Sequence, residues 1–337
     1  MSASTGHTAV MGTGNWGTTF AMVLADAGAT VRMWGRRAEV VDEITTRHRN
    51  TEYLPGVELP EGVSASTDAA DVLAGASTVV LVVPSQTLRQ NLSGWAPAIG
   101  DDALLVSLMK GVELGTHLRM SEVVAEVTGA GTERVAVVSG PNLATEIAAR
   151  QPTATVVACA DHDRAVAFAH ECSTPYFRPY TQDDVVGVEL GGAVKNVIAL
   201  AVGMAEGMGM GDNTRASIIT RGLAETARLA AALGADPATV SGLAGMGDLV
   251  ATCASPLSRN RTFGHNLGQG MTVEEVVAVT KQTAEGVKSC RSILELAQSA
   301  GVDMPITQAV STVVHDGVAA AEMVRVILSR ARKHEQS

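Results

Sequence analysis

Aromatic residues are scarce, with three Trp, three Tyr and four Phe in 337 residues. So few rings leave little material for base-stacking surfaces or for a belt at a membrane interface. Positive charge is also in deficit: Lys and Arg total 25 against 35 Asp and Glu, a formal net charge of −10. An acidic chain is not drawn broadly to nucleic acid or anionic lipid, although a local basic pocket stays compatible with it. No nucleic-acid partner is expected. Long apolar runs are missing as well. The charge-free stretch Val72 to Leu88 is interrupted by Gly75, Ser77, Pro84 and Ser85 and falls short of the ~20 residues of a spanning helix. The first residues, MSASTGHTAVMG, hold no basic segment followed by an apolar one, so neither a secretory signal nor membrane insertion is expected. Cysteine is sparse: Cys159, Cys172, Cys253 and Cys290 show no C-x-x-C spacing. They are expected to be reduced thiols of a cytoplasmic protein, not disulfides or zinc ligands. The eight histidines form no ligand pattern, and no metal is expected.

What is present is ordinary globular material, 46% hydrophobic and 18% charged, with length enough for two domains. Glycine is abundant at 34 residues, which points to places where backbone approaches something closely. The first half alternates β-branched runs with helical patterns. His7–Met11, Ala29–Trp34, Ser77–Val83, Ala103–Leu108, Arg134–Ser139 and Thr153–Ala160 read as strands, several continuously apolar, as strands covered on both faces should be. Helical patterns at Asn15–Ala27, Arg37–Arg49, Gln86–Trp95, Leu118–Val127 and Asp161–Glu171 separate them. Such alternation predicts a doubly wound parallel sheet with right-handed crossovers. From about Asp183 onward the patterns are all helical: Val185–Met204, Arg215–Leu233, Val273–Val279, Val287–Ala300, Thr307–Val314 and Ala319–Ala331. The predicted division is an α/β domain over residues 1–183 and an all-α domain over 184–337, with chemistry in the cleft between them.

Gly12-Thr13-Gly14-Asn15-Trp16-Gly17 satisfies G-x-G-x-x-G, directly after an apolar run and at the start of a helical pattern. That context is the one a dinucleotide-binding turn requires. Gly12 makes the turn, Gly14 admits a pyrophosphate and Gly17 allows close helix–strand packing. The next predicted strand ends in Gly35-Arg36-Arg37, where an NAD site ordinarily carries Asp or Glu. Two arginines favour the 2′-phosphate of NADP; the plainer alternative is a solvated basic helix start.

Lys110 follows a predicted strand, and ligands of open α/β sheets gather at strand carboxyl ends, yet a surface lysine there is also ordinary. Lys195 shares a helical face with Val188, Gly191, Gly192, Ala199 and Val202. Each mid-helix glycine costs ~1 kcal/mol against alanine, so a ligand or another backbone should pack on this face. A lysine in a dry pocket near other cations has a lowered pKa and suits acid/base work; a snorkelling lysine is the alternative. In Ser255-Pro256-Leu257-Ser258-Arg259-Asn260-Arg261, Ser255 is expected to cap a helix with Pro256 at its first position. Free amides, Ser258, Asn260 and a guanidinium would then form a phosphate pocket, though an ordinary capped surface helix reads the same. Asp248 in GMGDL is a turn residue or a ligand to a substrate hydroxyl.

Together the segments GTGNWGT, VVPSQ, MKGVE, SGPNLATEIA, ELGGAVKNVIALAVGM, TRGLAE, GLAGMGDLVATC and SRNRTFG resemble NAD(P)-dependent glycerol-3-phosphate dehydrogenase in its bacterial biosynthetic form. The resemblance runs from about Val10 to Arg332. It implies an amino-terminal Rossmann domain, a helical substrate domain and a homodimer. It further implies interconversion of dihydroxyacetone phosphate and sn-glycerol 3-phosphate for phospholipid synthesis, with NADPH preferred and NAD as second cofactor. Lys195 would be the catalytic acid/base. Lys110, Gly140, Asn142, Asp248, Ser258, Arg259 and Asn260 would surround substrate. Asn15, Trp16, Arg36, Arg37, Lys110, Ala144, Arg259, Thr283 and Glu285 would line the cofactor site with Gly12, Gly14 and Gly17. Asn142 stands where the family usually has Ser or Thr. The other readings of such a chain are a non-catalytic NADP-binding sensor and a two-domain β-hydroxy acid or ketopantoate dehydrogenase.

Overall fold

The computed structural model describes residues 6–280 and 284–329. Its first part alternates strands and helices: β1 (His7–Met11), α1 (Asn15–Asp26), β2 (Val31–Trp34), α2 (Ala38–Arg47), β3 (Val63–Ser66), α3 (Ala69–Leu73) and β4 (Ala76–Leu81). It continues with α4 (Leu88–Trp95), β5 (Leu104–Ser107), α5 (Met120–Thr128), β6 (Val135–Ser139), α6 (Ala144–Ala148), β7 (Thr153–Cys159), α7 (His162–Glu171) and β8 (Phe177–Gln182). The strands form one sheet in the order β3-β2-β1-β4-β5-β6-β7-β8. Helices cover both faces, so Val79, Val80, Leu105, Val106 and their neighbours are buried above and below. Two apolar clusters result, one under α1 with Phe20, Met33 and Phe168, the other under α4 and α5 with Leu88, Leu92 and Val123.

One pairing departs from the expected all-parallel sheet: β6 and β7 run antiparallel, with Ser139 opposite Val156. After β6 the chain turns at Gly140, whose φ is +154° and whose missing Cβ would lie 3.1 Å from Thr155. The five-residue α6 then docks on α1 and does not carry the chain across the sheet, so β7 returns beside β6. The strands β3 and β8 lie at the two edges of the sheet. Their composition, VSAS and FRPYTQ, hides them from an apolar-run criterion, and Pro179 is tolerated because an edge strand leaves one row of amides unpaired.

From Val185 the described chain is helical: α8 (Val185–Gly207), α9 (Asp212–Ala232), α10 (Pro237–Val240), α11 (Asp248–Ala254), α12 (Arg259–Gly268), α13 (Val273–Thr280), α14 (Glu285–Ser299), α15 (Pro305–Asp316) and α16 (Ala320–Ser329). By length and composition alone α8 could cross a membrane, but its surface is wrapped by other helices and mostly buried. It is the axis of the helical core, with Leu190, Val194, Val197, Ile198 and Leu200 fully enclosed. Against it lies α12, and the contact is backbone on backbone. A Cβ added to Gly203 or Gly207 of α8 would collide with the carbonyls of Arg261 and His265, and one added to Gly264 or Gly268 of α12 with those of Leu200 and Met204. Two glycines spaced i, i+4 on each helix thus set the α8–α12 separation.

Candidate active site

The glycine turn between β1 and α1 divides its labour among three glycines. At Gly12, φ is +146° and a Cβ would sit 2.5 Å from the Val82 carbonyl oxygen. A Cβ at Gly17 would press into the Gly12 carbonyl and lie 2.9 Å from Val82 Cγ1, so α1 rests directly on the strand layer. Around Gly14 there is open space. Gly14 is the N-cap of α1 and supplies no side-chain cap, which leaves the first amides of the helix aimed into that space. A pyrophosphate fits this cradle on both shape and dipole. The fully buried Asn50 holds the loop from behind, donating to the Thr13 carbonyl at 2.9 Å and to Thr18 Oγ1 at 2.8 Å.

Around the turn, Asn15 Nδ2 donates to the Tyr53 carbonyl at 2.6 Å, and Trp16 meets Phe20 edge-on at 5.5 Å. Arg37 is paired with Glu52 and lies over the Tyr53 ring, 5.4 Å from its centroid; the Glu52 hydrogen bond raises its pKa further. Arg36 beside it is exposed. Ala144 opens α6, and its carbonyl accepts a 3.4 Å bond from Thr19 Oγ1 of α1. Glu285, at the start of α14, accepts from the Ser85 hydroxyl in the VVPSQ segment, which joins the helical part to the end of β4. Thr283 lies outside the described residues. Sequence reasoning missed Asn50 and Tyr53. The only signal for Tyr53 is an aromatic ring in a chain that has few.

Lys110 leaves the carboxyl end of β5 and Gly140 that of β6; Lys195 projects from α8 and Asp248 begins α11. The four converge. Asp248 is buried at 2% exposure; its Oδ1 accepts from Lys195 Nζ at 2.8 Å and its Oδ2 from Lys110 Nζ. Lys110 also donates to the Gly140 carbonyl at 3.2 Å, and Lys195 to Thr252 Oγ1 at 2.6 Å. Thr252, one turn along α11, completes the ring through a 3.2 Å bond to Asp248 Oδ1.

Two cations around one anion leave a net positive charge in a largely dry site. Burial, assisted by the charge of Lys195 and opposed by that of Asp248, lowers the Lys110 ammonium to about 8. Burial works in the other direction on Asp248, raising it, but the two lysines outweigh this and hold it below its usual value.

The glycines beside Lys195 meet other parts of the protein. A Cβ at Gly191 would lie 2.7 Å from the Ala244 carbonyl, and one at Gly192 would lie 2.5 Å from Ser139 Oγ and 3.5 Å from the Lys110 side chain. Ala244 belongs to Leu243–Gly247, a wide π-type turn that runs straight into α11. Close approach of α8 to that turn is what brings Lys195 to Asp248.

The helix start near Pro256 needs a correction. Ser255 ends α11, with its hydroxyl accepting from Leu257 N at 3.1 Å. The cap of α12 is Ser258, whose hydroxyl accepts from Arg261 N at 3.2 Å. Pro256 and Leu257 form the turn between the helices, so the helix begins at Arg259. Ser258 and Asn260 are buried and the Arg259 side chain is exposed. Asn260 is already engaged: Nδ2 donates to Asn196 Oδ1 and Oδ1 accepts from Gly286 N, both at 2.9 Å. In the SGPN turn, Asn142 Nδ2 donates to Thr155 Oγ1 at 2.9 Å, while its buried Oδ1 has no hydrogen-bond partner among the described residues. A cavity of about 660 Å³ elsewhere in the helical part, lined by Met204, Met208, Ile218, Val310 and Met323, contains neither lysine.

A dinucleotide turn on one unit and a buried lysine–aspartate–lysine cluster at the junction with a second define a two-domain nicotinamide-dependent dehydrogenase. Comparison with known proteins narrows this. Family models described as the N-terminus and the C-terminus of NAD-dependent glycerol-3-phosphate dehydrogenase match residues 7–165 and 184–325. The chain is 64% identical to glycerol-3-phosphate dehydrogenase [NAD(P)+] of Streptomyces griseus over 97% of its length and 98% of that protein. To the protein of the same name from Thermobifida fusca it is 61% identical, again over 97% and 98%. A crystal structure of glycerol-3-phosphate dehydrogenase from Coxiella burnetii superposes with a TM-score of 0.91 at 38% identity, covering 96% of this chain and 99% of that one. The chain belongs to the NAD-dependent glycerol-3-phosphate dehydrogenase family, and it is an oxidoreductase that uses NAD or NADP.

Proposed function

We propose that this enzyme interconverts dihydroxyacetone phosphate and sn-glycerol 3-phosphate with Lys195 as the acid/base. The observation that carries the reading is the buried triangle of Lys110, Asp248 and Lys195 at the carboxyl end of the sheet. When bound, the reduced nicotinamide supplies a hydride to the ketone carbon of the substrate. The protein's part is to stabilise the negative charge that develops on the ketone oxygen and to deliver a proton there. Lys195 Nζ holds that proton, with Asp248 and Thr252 fixing its direction. Lys110 adds a second positive charge and contacts both ligands.

The substrate phosphate does not react. The start of α12, with Ser258, Arg259 and Asn260, anchors it and so holds the carbonyl in place. Gly140 and Asn142 close the opposite side. Gly12, Gly14, Asn15, Trp16, Gly17, Ala144, Arg259, Thr283 and Glu285 serve the dinucleotide, and Arg36 with Arg37 favours the 2′-phosphate and hence NADPH. We place residues 1–183 in the cofactor domain and 184–337 in the substrate domain. The enzyme works as a cytoplasmic homodimer and supplies glycerol 3-phosphate for phospholipid synthesis.

The test follows NADPH absorbance with dihydroxyacetone phosphate and with unphosphorylated dihydroxyacetone, hydroxy acids and ketopantoate. Turnover of the phosphorylated ketone alone is expected. Lys195→Met should lose kcat by several orders of magnitude with NADPH affinity kept. Near-normal turnover in that variant would remove the acid/base assignment.

A further inference from the structure

The two lysines arrive from different units, Lys110 from a strand end of the sheet and Lys195 from the central helix of the bundle. Hydrogen bonds to Asp248 alone do not set their separation, because both side chains are long and flexible. A second connection lies beside them. Glu189, six residues before Lys195 on α8, is 7% exposed and reaches out of the bundle to the start of α5. Its Oε1 accepts from Ser121 N at 2.8 Å; its Oε2 accepts from Ser121 Oγ and from Arg119 Nη1, the latter at 2.6 Å.

The α5 end of this contact is tied to Lys110. Arg119 pairs with Val112 in an isolated antiparallel bridge, and Glu113 N donates to the Leu118 carbonyl at 2.9 Å. Val112 is two residues from Lys110, so the loop 110–119 is closed on itself with Lys110 at one end and the Glu189 contacts at the other. Arg119 has no acceptor with which to cap α5; Glu122 turns back to the Arg119 amide at 2.8 Å, and Glu189 takes the Ser121 amide from across the junction. A buried carboxylate whose acceptances, among the described residues, all come from the neighbouring unit adds little net stability once its desolvation is counted, which directs attention to what its geometry holds.

We propose that Glu189 is a positioning residue: it locks α8 to the 110–119 loop and thereby fixes Lys195 relative to Lys110 around Asp248. The proposal rests on the assignment of those lysines to the reaction. Misplacement of reacting groups by ~1 Å costs about a hundredfold in rate. With the brace loosened, water enters around Lys110, and relief of burial, the largest cause of its depression, moves it upward from about 8 despite the facing charges of Lys195 and Asp248.

Glu189→Gln tests this, since the amide keeps the shape but presents donors to Ser121 and Arg119. Its kcat should fall about ten- to hundredfold with the dissociation constant for NADPH unchanged, and the alkaline limb of the kcat/KM–pH profile should move to higher pH. Ser121→Ala, which removes one of the three contacts, should shift both quantities in the same directions by less. Parental kcat and a parental alkaline limb in Glu189→Gln overturn the proposal. If that variant does not fold, the same parental pair in Ser121→Ala overturns it. The underlying site assignment fails separately: turnover by Lys195→Met removes it whatever Glu189→Gln does, whereas an inactive Lys195→Met beside a parental Glu189→Gln removes only the brace.

Discussion

Replacing Asp248 with Asn leaves the volume of the side chain almost unchanged and removes the anion that contacts both Lys110 and Lys195. At an effective dielectric constant of ~20, unit charges ~4 Å apart attract by about 4 kcal/mol, equivalent to ~3 pKa units. The ammonium of Lys110 already stands at about 8, with Asp248 opposing the depression. Without Asp248, Lys195 faces it unscreened, and the first proton should leave the pair at a pH lower by ~1–3 units. Reduction of the ketone needs the protonated cluster, so the alkaline limb of kcat/KM should move toward acid. At neutral pH the loss should be on the order of a hundred- to a thousandfold, the range expected when one preorganised electrostatic partner is removed.

The assay is a pH series of NADPH oxidation with dihydroxyacetone phosphate, run on both proteins, with NADPH binding measured independently by fluorescence. Binding at the glycine turn should be unaffected. If the Asp248→Asn limb superimposes on that of the parent with kcat/KM unchanged, the coupled-cluster account is wrong and Asp248 is only a helix-start residue.

Arg36→Ala should raise KM for NADPH about tenfold, the loss of one charge-assisted bond, with little effect on NADH; equal effects on both cofactors would remove the 2′-phosphate assignment. Glu225, 1% exposed and accepting from the Ile306 and Thr307 amides of α15, has its pKa raised to about 7 by burial. The folded state therefore binds more protons than the unfolded one between pH ~4.3 and ~7, so stability falls as pH rises through that window, by about 3–4 kcal/mol. Glu225→Gln should flatten the dependence of Tm on pH over the same range; an unchanged slope would show that the carboxyl titrates normally. Gly264→Ala forces a methyl group into the Leu200 carbonyl across the α8–α12 seam and should cost ~1–3 kcal/mol, read as a lower urea midpoint; an unshifted midpoint would mean the helices separate freely.

Strand positions were legible wherever burial on both faces wrote a run of apolar residues. His7–Met11 and the cores of the other five expected strands lie in the sheet, because β1, β2, β4, β5, β6 and β7 occupy its interior. The edge strands β3 and β8 carry Ser, Thr, Arg and Pro, since one side of each meets no neighbour, and periodicity alone does not separate them from loops. The reversal at β6–β7 was illegible for another reason: right-handed parallel crossovers are the rule for such alternation, and nothing in SGPN announces that α6 will stop after five residues. At Ser255 the local capping signal falls three residues before the true cap, Ser258. Both Ser255 and Ser258 have the chemistry of a cap, and only the end of α11 decides between them.

The site shows the same limit in sharper form. Lys110, Lys195 and Asp248 lie far apart in the chain, and no spacing rule joins them; each had an ordinary reading when taken alone. What the sequence did carry was the cost of glycine in mid-helix, which implied a close neighbour on the Lys195 face. That neighbour is backbone, the Ala244 carbonyl against Gly191. The same substitution recurs along α8 at Gly203 and Gly207, against α12. Side chains can re-pack around a shifted partner, but two backbones in contact have no rotamers with which to adjust. The helix that bears Lys195 is therefore held at one end by the turn preceding Asp248 and at the other by the helix whose first turn bears Ser258 and Arg259. Proton donor, counter-ion and anion anchor are registered by carbonyl contacts that leave no mark in the sequence except the absence of a side chain.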